Sequence, residues 1–78
     1  MEFKVLLNLV DDVKNFVRIA SLYDADITVR TCNKKFEVDA SSIMGMFSLD
    51  LSLPVVVHIE DIEAGEAFEN DVAKYIVE

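Results

Sequence analysis

The amino-acid sequence predicts an α+β fold. The expected architecture is an open-faced β-sandwich of order β-α-β-β-α-β-α, in which a four-stranded antiparallel sheet carries three helices on one face. Three observations lead there. Four segments carry apolar residues at period two or as a β-branched run, the habit of strands. Three others repeat them at helical spacing, which puts one apolar stripe on each helix. Finally, 78 residues supply one modest core, because size scaling takes about 12,800 Å² of unfolded-chain surface to about 4,800 Å² when folded. Residues 1–78 are expected to form a single domain, since no Gly, Ser or Pro stretch is long enough to be a linker and no segment repeats.

The first strand is expected over residues 3 to 9, where Phe3, Val5, Leu7 and Leu9 alternate with Lys4, Leu6 and Asn8. Asp11 and Asp12 then precede Val13, Phe16, Val17, Ala20 and Tyr23, a helical stripe behind carboxylates suited to a helix start. Ile27 and Val29, followed by Phe36 and Val38, alternate with Thr28, Arg30 and Glu37 around the turn-like Cys32-Asn33-Lys34-Lys35. This reads as an antiparallel hairpin. Asp39, Ser41 and Ser42 offer capping oxygens ahead of Ile43-Met44-Gly45-Met46-Phe47, a short second helix. After Pro54, Val55-Val56-Val57-His58-Ile59 is rich in β-branched residues and forms the fourth strand, with His58 facing outward. From Ile62 to the C-terminus, Ala64, Ala67, Phe68, Val72, Tyr75 and Ile76 recur at helical spacing opposite acidic residues, giving a third helix.

Composition excludes several classes of function. The chain is 53% hydrophobic and 28% charged with two Gly and one Pro, which is the composition of a folded domain and not of a disordered tail. Seven basic against fifteen acidic residues, a net charge of −8, make no basic footprint for a phosphate backbone, so no nucleic-acid partner is expected. One Cys and one His can form neither an internal disulfide nor a four-ligand zinc site. The sequence carries no signal-peptide pattern and no long apolar run, which points to a cytoplasmic protein without membrane insertion.

One segment carries a family resemblance. Ser42-Ile43-Met44-Gly45-Met46-Phe47-Ser48-Leu49 is similar to the Ser-Ile-Met-Gly segment of HPr, the phosphocarrier protein of the bacterial phosphotransferase system. Ala20-Ser21-Leu22-Tyr23-Asp24-Ala25-Asp26-Ile27 resembles the end of that family's first helix and its entry into the second strand. The spacing between the two segments agrees, and the element order derived above is the HPr order. The resemblance implies a protein that is not itself an enzyme, needs no cofactor or metal, and works by meeting protein partners.

The departure from the family is as informative. HPr proteins accept phosphate from Enzyme I on a histidine at the start of the first helix. Here no histidine precedes His58, and counting back from Ala20-Ser21 puts Leu9 at the position of that histidine and Asp11 at that of the neighbouring arginine. Phosphoryl transfer through histidine needs a nucleophilic nitrogen and donors for the anionic oxygens. Leu9-Val10-Asp11-Asp12 supplies no imidazole and no cation, a helix N-terminus alone remains as donor, and the two carboxylates would repel a phosphoryl group.

Two residue sets remain as candidates. The resemblance implies that Ser42 is the serine phosphorylated by HPr kinase in Gram-positive HPr and in catabolite repression HPr, which also lacks the phosphocarrier histidine. The alternative for Ser42 is a plain helix cap. Ile43, Met44 and Phe47 match the apolar patch with which the family docks Enzyme I and other partners; the alternative for them is burial, although Met46 and Leu49 are the better core members. The expected function is therefore a non-enzymatic regulatory or docking domain, switched at Ser42, with HPr kinase, phosphotransferase-system or regulatory proteins as partners. The competing reading is a working sugar-phosphotransferase phosphocarrier with an unconventional acceptor. The acidic run from Glu60 to Asp71 lacks the spacing and central Gly of a calcium loop, and Cys32 has no His beside it to activate a thiol.

Overall fold

The computed structural model describes residues 1–33 and 36–77. Its elements are β1 (Glu2–Val5), α1 (Val10–Ala20), β2 (Ile27–Thr31), β3 (Glu37–Asp39), α2 (Ile43–Phe47), β4 (Val55–Ile59), α3 (Ile62–Asp71), a 3₁₀ turn (Ala73–Tyr75) and β5 (Ile76–Val77). The strands lie in the order β3-β2-β4-β1-β5, and every neighbouring pair is antiparallel. The α+β open sandwich is thus the observed fold, with an accessible surface of 4880 Å².

Strand alternation sets the inner face of the sheet. Val5, Ile27, Val29, Val55, Val57 and Ile59 point inward and are buried. Val13, Phe16 and Ala20 of α1, Met46 of α2 and Phe68 of α3 cover them. Phe68 is the hub of this layer, with its ring centroid 5.3 Å from Phe16, 5.5 Å from Tyr23 and 6.3 Å from Phe3.

The structure corrects the sequence-based expectations at four places. The first strand stops at Val5 and does not run to Leu9. Its partner β4 begins at Val55, directly after Pro54, and the ladder ends where Val5 faces Val55. Beyond it the Leu6 N–H turns to the Tyr75 carbonyl at 2.9 Å. Second, α1 begins at Val10, so Asp11 and Asp12 lie inside its first turn and favour the helix through its dipole, not as caps. Leu9 occupies the cap position with extended backbone and no side-chain bond. Tyr23 lies beyond the end of this helix, its ring against Phe68.

Third, Phe36, expected inside the hairpin, precedes β3 and is exposed; Lys34 and Lys35 of the expected turn lie outside the described residues. Fourth, the last helix does not reach the C-terminus. It ends at Asp71, the 3₁₀ turn redirects the chain, and Ile76 and Val77 pair with Val5 and Lys4 as a fifth strand. The sheet therefore has five strands where four were expected. A short edge strand satisfies part of the β1 ladder that would otherwise face water.

Within α3, Ala67 is exposed and Gly65 takes the buried position. A Cβ on Gly65 would fall 2.4 Å from the Met1 sulfur, so the missing side chain is what lets the first residue lie on this helix.

Candidate functional site

The candidate residues lie on two helices that pack against each other, α1 and α2. At the start of α1, Leu9 and Val10 are 62% and 58% exposed. Leu9, which counting back along the sequence sets at the family's acceptor position, is a hydrocarbon at a helix N-terminus. It has no nitrogen, hydroxyl or thiol to form a bond to phosphorus.

Ser42 is the N-cap of α2. Its backbone is extended, and its Oγ accepts the Gly45 N–H at 3.1 Å, the bond expected of a helix cap. The turn before it is held separately. Asp39 Oδ1 accepts both the Ser41 N–H at 2.9 Å and the Ser41 hydroxyl at 2.7 Å. The backbone bond, and then the hydroxyl bond, hold the Asp39 carboxyl below its ordinary pKa. Gly45 matters for close approach: a Cβ there would lie 3.1 Å from Val38 Cβ and 3.2 Å from Ser42 Oγ.

The sequence-proposed patch is open to solvent. Met44 is 81% exposed, Phe47 45% and Ile43 37%, whereas Met46 is fully buried and Leu49 nearly so. One turn of helix thus points Met46 into the core and the other three apolar side chains outward. Three exposed apolar side chains are concentrated on one five-residue helix.

His58, the only histidine, lies on the open face of the sheet. The register sets Glu2 opposite it on β1 and Thr28 opposite it on β2. Glu2 Oε2 accepts a bond from Arg30 Nη2 at 2.7 Å and lies 3.1 Å from His58 Nδ1. The Arg30 bond and then the His58 bond hold the Glu2 carboxyl below its ordinary pKa. Next to His58 a groove of about 710 Å³ is lined by the carboxylates of Asp24, Asp26, Glu37, Glu60 and Asp61. These surroundings oppose a phosphoryl dianion, and Arg30, which shares the Glu2 carboxylate with His58, is already bonded to it. The histidine and its partners come together only through strand register, so sequence spacing held no signal for this group.

A second contact that spacing did not reveal joins the turn after α1 to the end of α3, where the Tyr23 hydroxyl donates to Asp71. That bond is the main reason the Tyr23 pKa is pushed up from 10.0 to about 12. A raised pKa means that the contact stabilises the fold fully below pH 10 and that this contribution is lost as the pH climbs from 10 to about 12. Tyr23→Phe is expected to cost about 1 kcal/mol at neutral pH. It should also abolish the late phenolate transition in an ultraviolet titration.

Cys32 is exposed, and its thiol lies 3.3 Å from the Pro54 carbonyl. Among the described residues no helix is long and apolar enough to cross a membrane.

Residues 13–74 match the PTS-HPr family model, described as the PTS HPr component phosphorylation site. The chain is also similar to solved structures. Against the phosphocarrier protein HPr from Bacillus anthracis str. Ames it is 27% identical with a TM-score of 0.74, covering 99% of this chain and 96% of that one. Against HPr-C-His from Thermoanaerobacter tengcongensis it is 26% identical with a TM-score of 0.73, covering 94% and 91%. No curated protein sequence matches it.

Proposed function

Because the chain belongs to the PTS-HPr family, whose members are phosphocarriers and not enzymes, we propose that it is a single-domain, cytoplasmic, non-enzymatic relative that has given up phosphohistidine chemistry. In this reading it acts by docking protein partners through Ile43, Met44 and Phe47, and phosphorylation of Ser42 by HPr kinase switches that docking. The observation that carries the reading is the exposed Leu9 at the N-cap of α1, with the only histidine on the open face of the sheet beside carboxylates. A hydrocarbon cannot accept a phosphoryl group, and the helix dipole alone provides no nucleophile.

The same geometry supports the switch. Ser42 adjoins the exposed apolar side chains directly in sequence, so a phosphate of charge about −2 there would place strong hydration beside a surface that must shed water to bind.

The test is intact-mass spectrometry in two arms. With HPr kinase and ATP, the protein is expected to gain one phosphate that Ser42→Ala loses. With Enzyme I and phosphoenolpyruvate, its mass is expected to stay unchanged. An acid-labile phosphate in the second arm would overturn the loss of carrier chemistry and establish the competing reading of an unconventional acceptor.

A further inference from the structure

Two serines stand side by side before α2, and their hydroxyls are bonded in opposite senses. Ser41 donates: its hydroxyl proton goes to Asp39 Oδ1 at 2.7 Å, and its backbone N–H goes to the same oxygen at 2.9 Å. Ser42 accepts: its Oγ takes the Gly45 N–H at 3.1 Å, and its own proton has no acceptor among the described residues. Ser41 is also the more exposed of the pair, Ser42 being half-buried. Accessibility alone would therefore direct a kinase to Ser41.

We propose that Asp39 is a positioning residue that selects Ser42 over Ser41 for phosphorylation, by holding the Ser41 hydroxyl and leaving that of Ser42 free. This rests on the reading of Ser42 as a kinase substrate. In the reaction the Ser42 oxygen forms a bond to the γ-phosphorus of ATP, the bond from that phosphorus to the bridging oxygen breaks, and ADP leaves with the electron pair. The hydroxyl proton passes to the general base of the kinase.

At Ser42 nothing among the described residues competes for that proton. At Ser41 the proton is already committed to a carboxylate, and attack requires the hydroxyl to leave that bond. The product would then set a phosphate dianion within hydrogen-bond range of a carboxylate, where like charges repel. Asp39 is a poor base for activating Ser41 itself, because the two bonds it accepts stabilise its ionised form.

Asp39→Ala removes this hold without touching the backbone bonds of the turn, which run from Ala40 N–H to the Ile27 carbonyl at 2.9 Å and from Ser42 N–H to the Asp39 carbonyl at 3.0 Å. The experiment localises phosphate by tandem mass spectrometry after treatment with HPr kinase and ATP. It compares the native chain, Asp39→Ala, Asp39→Asn, Ser42→Ala, and the double variant Asp39→Ala with Ser42→Ala. Native protein is expected to carry almost all of its phosphate on Ser42. Asp39→Ala should raise the Ser41 share about tenfold or more, the value of one charge-assisted hydrogen bond. Asp39→Asn, which keeps an acceptor oxygen, should restore much of the preference for Ser42. Ser42→Ala should stay unmodified while the double variant gains phosphate on Ser41.

A purely structural role for Asp39 would lower the total phosphate without changing its distribution. Phosphate confined to Ser42 in a folded Asp39→Ala protein would overturn the selection and leave the Ser42 switch standing. A native chain that takes no phosphate on either serine would overturn the switch, and the selection with it. A native chain modified mainly on Ser41 would overturn both.

Discussion

Phe68→Ala is expected to destabilise the fold by about 3–5 kcal/mol, the usual cost of deleting a fully buried aromatic ring. The expectation comes from position as well as size. Phe68 is 0% exposed and meets three other aromatic rings, Phe3 on the sheet, Phe16 on α1 and Tyr23 in the turn after it, at centroid distances of 5.3 to 6.3 Å. It therefore ties β1, α1 and α3 together, and a cavity there cannot be closed by moving one element. Domains of this length are typically stable by about 4–12 kcal/mol, so the loss removes a large share of the total and the variant should unfold at a much lower urea concentration than the native chain. A urea titration at neutral pH measures this directly. Phe47→Ala, at an exposed ring, is the matched control and should change the unfolding free energy by no more than about 0.5 kcal/mol. A loss below about 1 kcal/mol for Phe68→Ala would mean that the aromatic cluster is not the centre of the core.

The second large effect is expected on binding. Ile43→Asp combined with Phe47→Asp should weaken association with Enzyme I or HPr kinase by about thirtyfold or more, the value of one interface anchor of about 2 kcal/mol. Both side chains project from α2 while Met46 holds that helix to the core, so the amide spectrum and the melting temperature should change little. Calorimetric titration of each partner with native and variant protein makes the measurement. Unchanged affinity in a folded variant would remove the patch from consideration as a docking surface.

The two predictions draw on different kinds of residue, and the sequence was informative about them to different degrees. Phe68 was visible as a member of an apolar stripe, because helical spacing is written locally. That it is the meeting point of four rings was not, since Phe3, Phe16 and Tyr23 are brought to it from three other segments. The separation of Met46 from Ile43, Met44 and Phe47 was legible, because a single helix turn can bury only one side of itself. The cap role of Ser42 was legible for a similar reason: it depends on the amide three residues ahead.

The misreadings share one cause. Leu7 and Leu9 continue the alternation of β1, but a strand lasts only as long as its partner, and β4 starts after a proline with no N–H to give. Ile76 satisfies the helical period, yet the open edge of β1 claims it as strand. Ala67 fits the apolar stripe of α3 but is exposed, and Gly65 is buried in its place with Met1 against it. Each was settled by a segment far away in sequence.

Local spacing by itself determined the strand and helix order up to α3, the inward faces, the α2 cap and the absence of a histidine from the start of α1. Those properties depend on neighbours within a turn of helix or a few residues of strand. Only the tertiary structure decided the fifth strand, the joining of Glu2 with Arg30 and His58, the latch from Tyr23 to Asp71, and the exposure of Leu9 at a helix start. These depend on register and packing between distant segments, where the free energy comes from contacts that no local pattern encodes.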